Sequence, residues 1–323
     1  MQKRRNMKFI PPVILAVILM MIASIEVEGQ VYKWKKLRYE FITGGGVSNF
    51  MADVGSAENS GLTKYVWTNP NTWRPVAVVG GRMAFSERQM VKVLLTTGYL
   101  YANDAYGAYV DRNYEVRTSI TELSAQYEFY IIKEKKKRNV YKFLGNKQHF
   151  KNLVIPFYAF AGLAGVYYNP KSLFDGKWEA LRPLKTEILP NGKDTYVPFA
   201  LAVPIGLGIK FKIAKYISVN IEAGWRVAFT DYLDDKGHGT YPDVNAMIED
   251  KDWVRAALTF RGHGYSTDNE ALRQWFEDRA GSLPDGGPRG FGEWIDQYQF
   301  VTATLNFKLK SGRKGQPLLK LYR

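Results

Sequence analysis

Two of the three histidines, His238 and His263, sit between glycines in a single stretch, Asp231 to Gln297, which also holds Asp231, Asp234, Asp235 and several serines. An imidazole with a hydroxyl and a carboxylate can run acyl transfer or hydrolysis, so these two are the candidate acid or base of an enzyme modifying outer-leaflet lipid. Neither has a fixed motif spacing, and glycine flanks leave an imidazole poorly positioned. Their separation of 25 residues gives no local zinc pair. The run Asp231-Tyr-Leu-Asp-Asp235 suits loop capping through Asx turns better than calcium binding. Cysteine is absent, which excludes thiolate metal sites, thiol nucleophiles and iron–sulfur clusters. The expectation is therefore no catalytic residue, no metal and no cofactor.

A second group of reactive side chains falls at every second position of long segments: Arg38, Glu40, Glu122, Gln126, Glu128, Lys210, Lys212, Glu222 and Arg226. Glu122, Glu222 and Arg226 invite reading as an active site or proton path. Both signs occur, however, and a neutralised polar plug is the more economical reading. The third group is basic. Lys133, Lys135, Lys136, Lys137, Arg138, Lys142, Lys147 and Lys151 face one acid, Glu134, and Lys33, Lys35, Lys36, Arg313, Lys314, Lys320 and Arg323 add to them. Such a field attracts an acidic protein surface or anionic lipid headgroups. Lys133, Lys135, Lys136, Lys137, Arg138, Arg313 and Lys314 are the expected partner-binding residues.

The elements that hold these groups alternate with period two. Phe199, Leu201, Val203, Ile205, Leu207, Ile209, Phe211 and Ile213 stand opposite Ala200, Ala202, Pro204, Gly206, Gly208, Lys210 and Lys212. Only a strand puts every second side chain on one face. Ile217–Thr230 and Thr121–Ile131 repeat the pattern. These runs, about 12–15 residues long, exceed ordinary soluble strands and suit a lipid-facing barrel wall with a polar lumen. A lipocalin-like barrel would carry the apolar stripe inside instead. Mean hydropathy is only −0.28 and no second apolar run long enough for a spanning helix follows the first 29 residues, so a mature chain that crosses a membrane must cross with strands.

Eight strands are predicted: Leu37–Gly45, Arg74–Phe85, Met90–Tyr101, Arg117–Ile132, Leu153–Tyr167, Tyr196–Ile213, Ile217–Thr230 and Tyr298–Lys310. The fold class is all-β, an eight-stranded antiparallel transmembrane β-barrel with short periplasmic turns, long extracellular loops and a partly helical last loop. Helical spacing over Asp243–Phe260 and Thr267–Arg279 places a cap in loop 231–297, where an extracellular partner would touch.

Residues 1–29 read as a signal peptide: Lys3, Arg4, Arg5 and Lys8 precede an apolar stretch, and Gly29 precedes the cut. Residues 30–310 then form the barrel and 311–323 a basic periplasmic tail. The signal carries four basic and two acidic residues, so the net charge falls from +14 to +12 on its removal. Export argues against nucleic acid as the partner. An even strand count places both mature termini in the periplasm of a Gram-negative cell, with the barrel in the outer membrane.

Three segments carry a resemblance: Leu37–Gly55 with its Gly-Gly-Gly-Val-Ser-Asn-Phe core, Trp178–Glu187, and Phe229-Thr-Asp-Tyr-Leu-Asp-Asp235. Together the chain resembles the PorG-like outer-membrane β-barrels of the type IX secretion system in Bacteroidetes, over roughly Leu37 to Lys310. The resemblance implies a non-enzymatic component of a protein-export and gliding machine, with periplasmic secretion-ring or motor subunits as partners. It implies no catalytic residues. A passive surface barrel binding extracellular partners is the remaining alternative.

Overall fold

The computed structural model describes residues 38–55, 69–134, 155–193, 195–214, 216–262, 268–290, 295–311 and 317–318. Eight long strands form the wall: β1 (Tyr39–Met51), β2 (Arg74–Ala84), β3 (Gln89–Asn103), β4 (Glu115–Ile132), β5 (Phe157–Phe174), β7 (Phe199–Lys212), β8 (Ile217–Ala228) and β9 (Gln297–Ser311). Each pairs antiparallel with the next, and β9 pairs back onto β1 from Tyr39↔Leu309 to Met51↔Gln297. The barrel is closed and has no free wall edge. A short β6 (Lys177–Ala180) folds back on β5, and β10 (Pro317–Leu318) pairs with the end of β9.

Three strand ends and one helix differ from the sequence expectation, each for a local reason. The first strand does not stop at Gly45 but runs to Met51, because Gly44 and Gly46 lie against the β9 backbone. A Cβ on Gly46 would stand 2.0 Å from the Val301 carbonyl oxygen. The fifth strand continues past Tyr167 to Phe174, where Asp175-Gly176, with φ of 47° and 71°, turns the chain tightly into β6. The next wall strand begins at Phe199 rather than Tyr196, whose hydroxyl binds Asp235 instead. The predicted helix Asp243–Phe260 is broken at Lys251 (φ 59°) into α1 (Val244–Glu249) and α2 (Trp253–Thr259). Asp243 and Asp252 cap the two pieces, accepting from Ala246 N (3.0 Å) and Arg255 N (3.3 Å). A third helix, α3 (Asn269–Glu277), is capped by Asp268.

The outward face is apolar and bare: Leu163 is 70% exposed, Leu201 60% and Leu123 59%. The inside is filled in layers, and it is less purely polar than the alternation predicts. At the short-turn end Tyr130 and Tyr158 stack with ring centres 4.7 Å apart, next to Phe160. A charged layer follows, then Ile42, Val78 and Leu94. At the long-loop end Leu100, Ile120, Val166, Tyr168 and Phe300 form a larger apolar core. A cavity of about 10 Å³ between Lys92, Glu222, Arg226 and Thr302 has room for about one water. The helices pack a separate small core of Val244, Met247, Ala256, Leu272, Trp275 and Phe276.

Candidate functional site

Inside the barrel, strand parity points even-numbered side chains of β2, β3, β4, β7 and β8 at one another. Arg82 on β2 lies 2.8 Å from Glu40 and 2.8 Å from Glu128. Lys92 on β3 lies 2.6 Å from Glu222 and 3.1 Å from Glu128. Lys210 on β7 closes on Glu40 at 2.6 Å. Three carboxylates thus meet three cations, and all six side chains are buried. One layer nearer the long loops, Glu122 accepts from the Tyr298 hydroxyl at 2.7 Å, with Arg226 at 3.5 Å and stacked on Phe300.

The structure therefore brings Glu40, Glu128 and Glu222 into one cluster, and Glu122 with Arg226 into a second. Gln126 is buried beside Ser124 (2.9 Å). Arg38 and Lys212 stand apart from both clusters: Arg38 donates to the Tyr39 hydroxyl (2.6 Å), and Lys212 reaches Glu134 (3.4 Å) at the short-turn rim. Position along the strand decides this, since both fall at the wall's end. Sequence reasoning missed Arg82 and Lys92, the two cations at the centre. Carrying the parity of Val76 and Val78 on to Arg82, and of Leu94 back to Lys92, would have found them.

Of the basic partner-binding set, Lys133 is exposed and pairs with Glu87 at 3.3 Å. Lys135, Lys136, Lys137, Arg138, Arg313 and Lys314 lie outside the described residues, as do His263 and the segment 1–29. His238 is half-exposed, with Nδ1 3.0 Å from Asp231. Among the described residues no hydroxyl donates to its other ring nitrogen.

The second assembly lies at the long-loop end and gathers the three segments quoted above. Asp234 accepts from Val54 N and Lys236 N, both at 3.0 Å, tying the loop after β8 to the end of β1. Glu187 accepts from Gly237 N (3.0 Å) and Gly239 N (2.6 Å). Asp235 accepts from the Thr186 hydroxyl, from Tyr196 (2.7 Å) and from Arg289 (3.2 Å). Asp296 accepts from Leu233 N at 2.7 Å, and Asp104 binds Gly55 N at 2.8 Å and Arg112 at 2.9 Å. Loops that are far apart in sequence are thereby sewn together across the barrel mouth.

Charge in this assembly is not balanced as it is inside. Burial, then the neighbouring Asp53, push the Asp234 carboxyl up to about 7. Burial, then Asp234 and Asp231, push Asp296 well above the ordinary carboxylate range. Lys236 is driven the other way by burial and then by Arg112 and Arg289. Its side-chain nitrogen sits 3.1 Å above the Tyr114 ring centre and has no hydrogen-bond acceptor among the described residues. Asp104, Glu187, Asp234 and Asp296 are spent on backbone N–H groups and Asp235 on side-chain donors, and among the described residues no three of His, Asp or Glu form a metal-binding group.

The eight-stranded plan is similar to small outer-membrane proteins of known structure. The chain aligns with OprG from Pseudomonas aeruginosa over 84% of its own length and 97% of that chain, at 7% identity and a TM-score of 0.38. It aligns with Neisserial surface protein A over 84% and 96%, at 5% identity and 0.33. For Ail, the attachment invasion locus protein of Yersinia pestis, the figures are 84% and 99%, at 8% identity and 0.31. No curated protein matches the sequence. A family described as a domain of unknown function, DUF6089, matches residues 13–254, and with three quarters of its length so matched this chain belongs to that family.

Proposed function

We propose that this chain is a non-enzymatic outer-membrane barrel that anchors a periplasmic protein-export assembly of the type IX kind. The observation that carries the membrane half is the inversion of the usual burial pattern. Leucines and phenylalanines cover the outside of a closed wall, while three buried carboxylates and three buried cations fill the inside. Water cannot be the solvent for that outer face without a large exposed-apolar penalty, whereas lipid can. The packed lumen supports an anchor rather than a channel. The export half rests on the resemblance of the three mouth-forming segments to PorG-like barrels and on the Lys133–Arg138 cluster, which offers acidic periplasmic subunits a surface.

The test is a chromosomal deletion followed by comparison of the secreted proteome. Loss of many unrelated cargo proteins, restored by the wild-type chain but poorly by one with neutral residues at Lys135–Arg138, is the expected result. An unchanged secretome would remove the export role. The His238–Asp231 pair supports one other reading, a barrel acting on outer-leaflet lipid. His238→Ala should then abolish a lipid modification that the wild-type chain produces.

A further inference from the structure

The outward face is apolar along most of the wall, but it changes character on β4 and β5 near the long loops. Arg117 on β4 stands directly across from Lys171 on β5, and both are partly exposed on the outer side. Neither pairs with a carboxylate among the described residues. The Arg117 guanidinium instead lies 4.1 Å from the Trp178 ring centre and 5.2 Å from that of Tyr99. The acid on the same face, Glu115, is engaged by the Tyr101 hydroxyl at 2.7 Å. Four residues nearer the short turns, Thr121 faces Tyr167, which is 55% exposed, and below it Leu123 and Leu163 begin the bare apolar wall. With about 3.4 Å per residue and a tilt near 40°, Arg117 and Lys171 stand roughly 10 Å above the level of Tyr167 and its cross-strand neighbour Phe199, both exposed.

We propose that Arg117 and Lys171 form a docking site for the phosphorylated headgroup of an outer-leaflet lipid. Two cations just beyond an aromatic girdle are complementary to phosphate at the depth where headgroups lie, and a guanidinium fork matches phosphate oxygens in pairs. Trp178 and Tyr99 hold the guanidinium through its contact with their rings, without neutralising its charge. The site is one-sided: on the neighbouring β7 and on β8 and β9 beyond it, the outward positions towards this end are Phe199, Val227, Gln297 and Gln299. Lipid would therefore be gripped along the β4–β5 wall and only solvate the rest. The inference rests on the outer-membrane reading given above.

The experiment uses the full chain folded in neutral detergent, with the thermal midpoint read by heat-modifiable gel mobility. Bis-phosphorylated lipid A, its dephosphorylated counterpart and inorganic phosphate are titrated separately. Bis-phosphorylated lipid A should raise the midpoint, and Arg117→Gln with Lys171→Gln should weaken its binding by about 100-fold, about tenfold per charge-assisted contact. Arg117→Lys should fall between. Equal binding by the double variant, or by dephosphorylated lipid A, overturns the proposal, and so does saturation by inorganic phosphate alone. Insertion of the wild-type chain into vesicles separates the two readings. A chain that inserts but ignores the lipid phosphates loses only the docking site, and a chain that never inserts loses both.

Discussion

Arg82 and Glu128 meet side-on in the barrel lumen, with Nε 2.8 Å from one carboxylate oxygen and Nη2 2.9 Å from the other. Their strands, β2 and β4, flank β3, and Lys92 on β3 reaches the same carboxylate at 3.1 Å. Glu40 holds Arg82 from the other side while binding Lys210. One guanidinium thus links charges contributed by strands around much of the wall.

Removing that guanidinium leaves three buried carboxylates with two ammonium groups. Arg82→Met should cost about 3–5 kcal/mol, because an uncompensated buried charge is more costly than a missing pair. Arg82→Met with Glu128→Leu should recover most of the loss. Urea unfolding followed by tryptophan fluorescence in lipid checks both. If the single variant is as stable as the double, the layer is not an electrostatic unit.

The strand count, the closed antiparallel order and the identity of the inward acids were legible from period two, since Glu122, Glu128 and Glu222 sit opposite long apolar stripes. The cations that answer them were not, because β2 and β3 alternate less cleanly: Gly80-Gly81 interrupts the first and Met90 begins the second. The mouth was harder still. Asp53, Asp104, Glu187, Arg289 and Asp296 belong to segments with no periodicity, and only tertiary folding shows that they meet Asp234 and Asp235. The resemblance singled out three of these segments without saying that they touch.

The Asp234 carboxyl gives the mouth a pH dependence. Its folded value is about 7 against an ordinary 3.8, raised by burial and then by Asp53. Below about pH 4 the group is protonated whether folded or unfolded, and its contribution is fully present. As pH rises to about 7 the unfolded chain releases the proton and the folded chain keeps it, so stability falls through that window. Asp234→Asn should flatten the slope, at a cost of about 1 kcal/mol for one weakened backbone bond. Proteolysis of the loops between pH 4 and 8 reads this directly. A wild-type profile that rises over the same range would contradict the assignment.

The seam between β1 and β9 depends on close backbone approach. A Cβ on Gly46 would meet the Val301 carbonyl oxygen at 2.0 Å and the Thr302 Cα at 2.7 Å, both backbone atoms that cannot rotate away. Gly46→Ala should therefore part the seam locally and cost about 1–3 kcal/mol. Gly286→Ala, in the last loop, meets no atom within 4 Å but has φ +73°, so its cost is backbone strain without a clash. The two variants separate by refolding yield into lipid vesicles: barrel closure should suffer for Gly46 and remain near wild type for Gly286.

Lys236 is unfavourably placed at the mouth. Its side chain is buried, and its amine rests on the face of Tyr114 with no acceptor among the described residues. Burial, with Arg112 and Arg289 behind it, holds its pKa well below the ordinary 10.5. An unfolded chain then binds a proton that the folded one resists, so this group's contribution grows as pH rises from the folded value toward 10.5. The slope is opposite in sign to that of Asp234. Lys236→Met keeps the volume and drops the amine, and it should raise the stability of the loop assembly by about 1–3 kcal/mol at neutral pH. It should also abolish the gain seen on going alkaline. Asp104 and Asp234 attract the cation, but burial outweighs that attraction. A lower thermal midpoint for Lys236→Met would mean that the cation holds those two carboxylates, and that attraction outweighs its missing hydrogen bond.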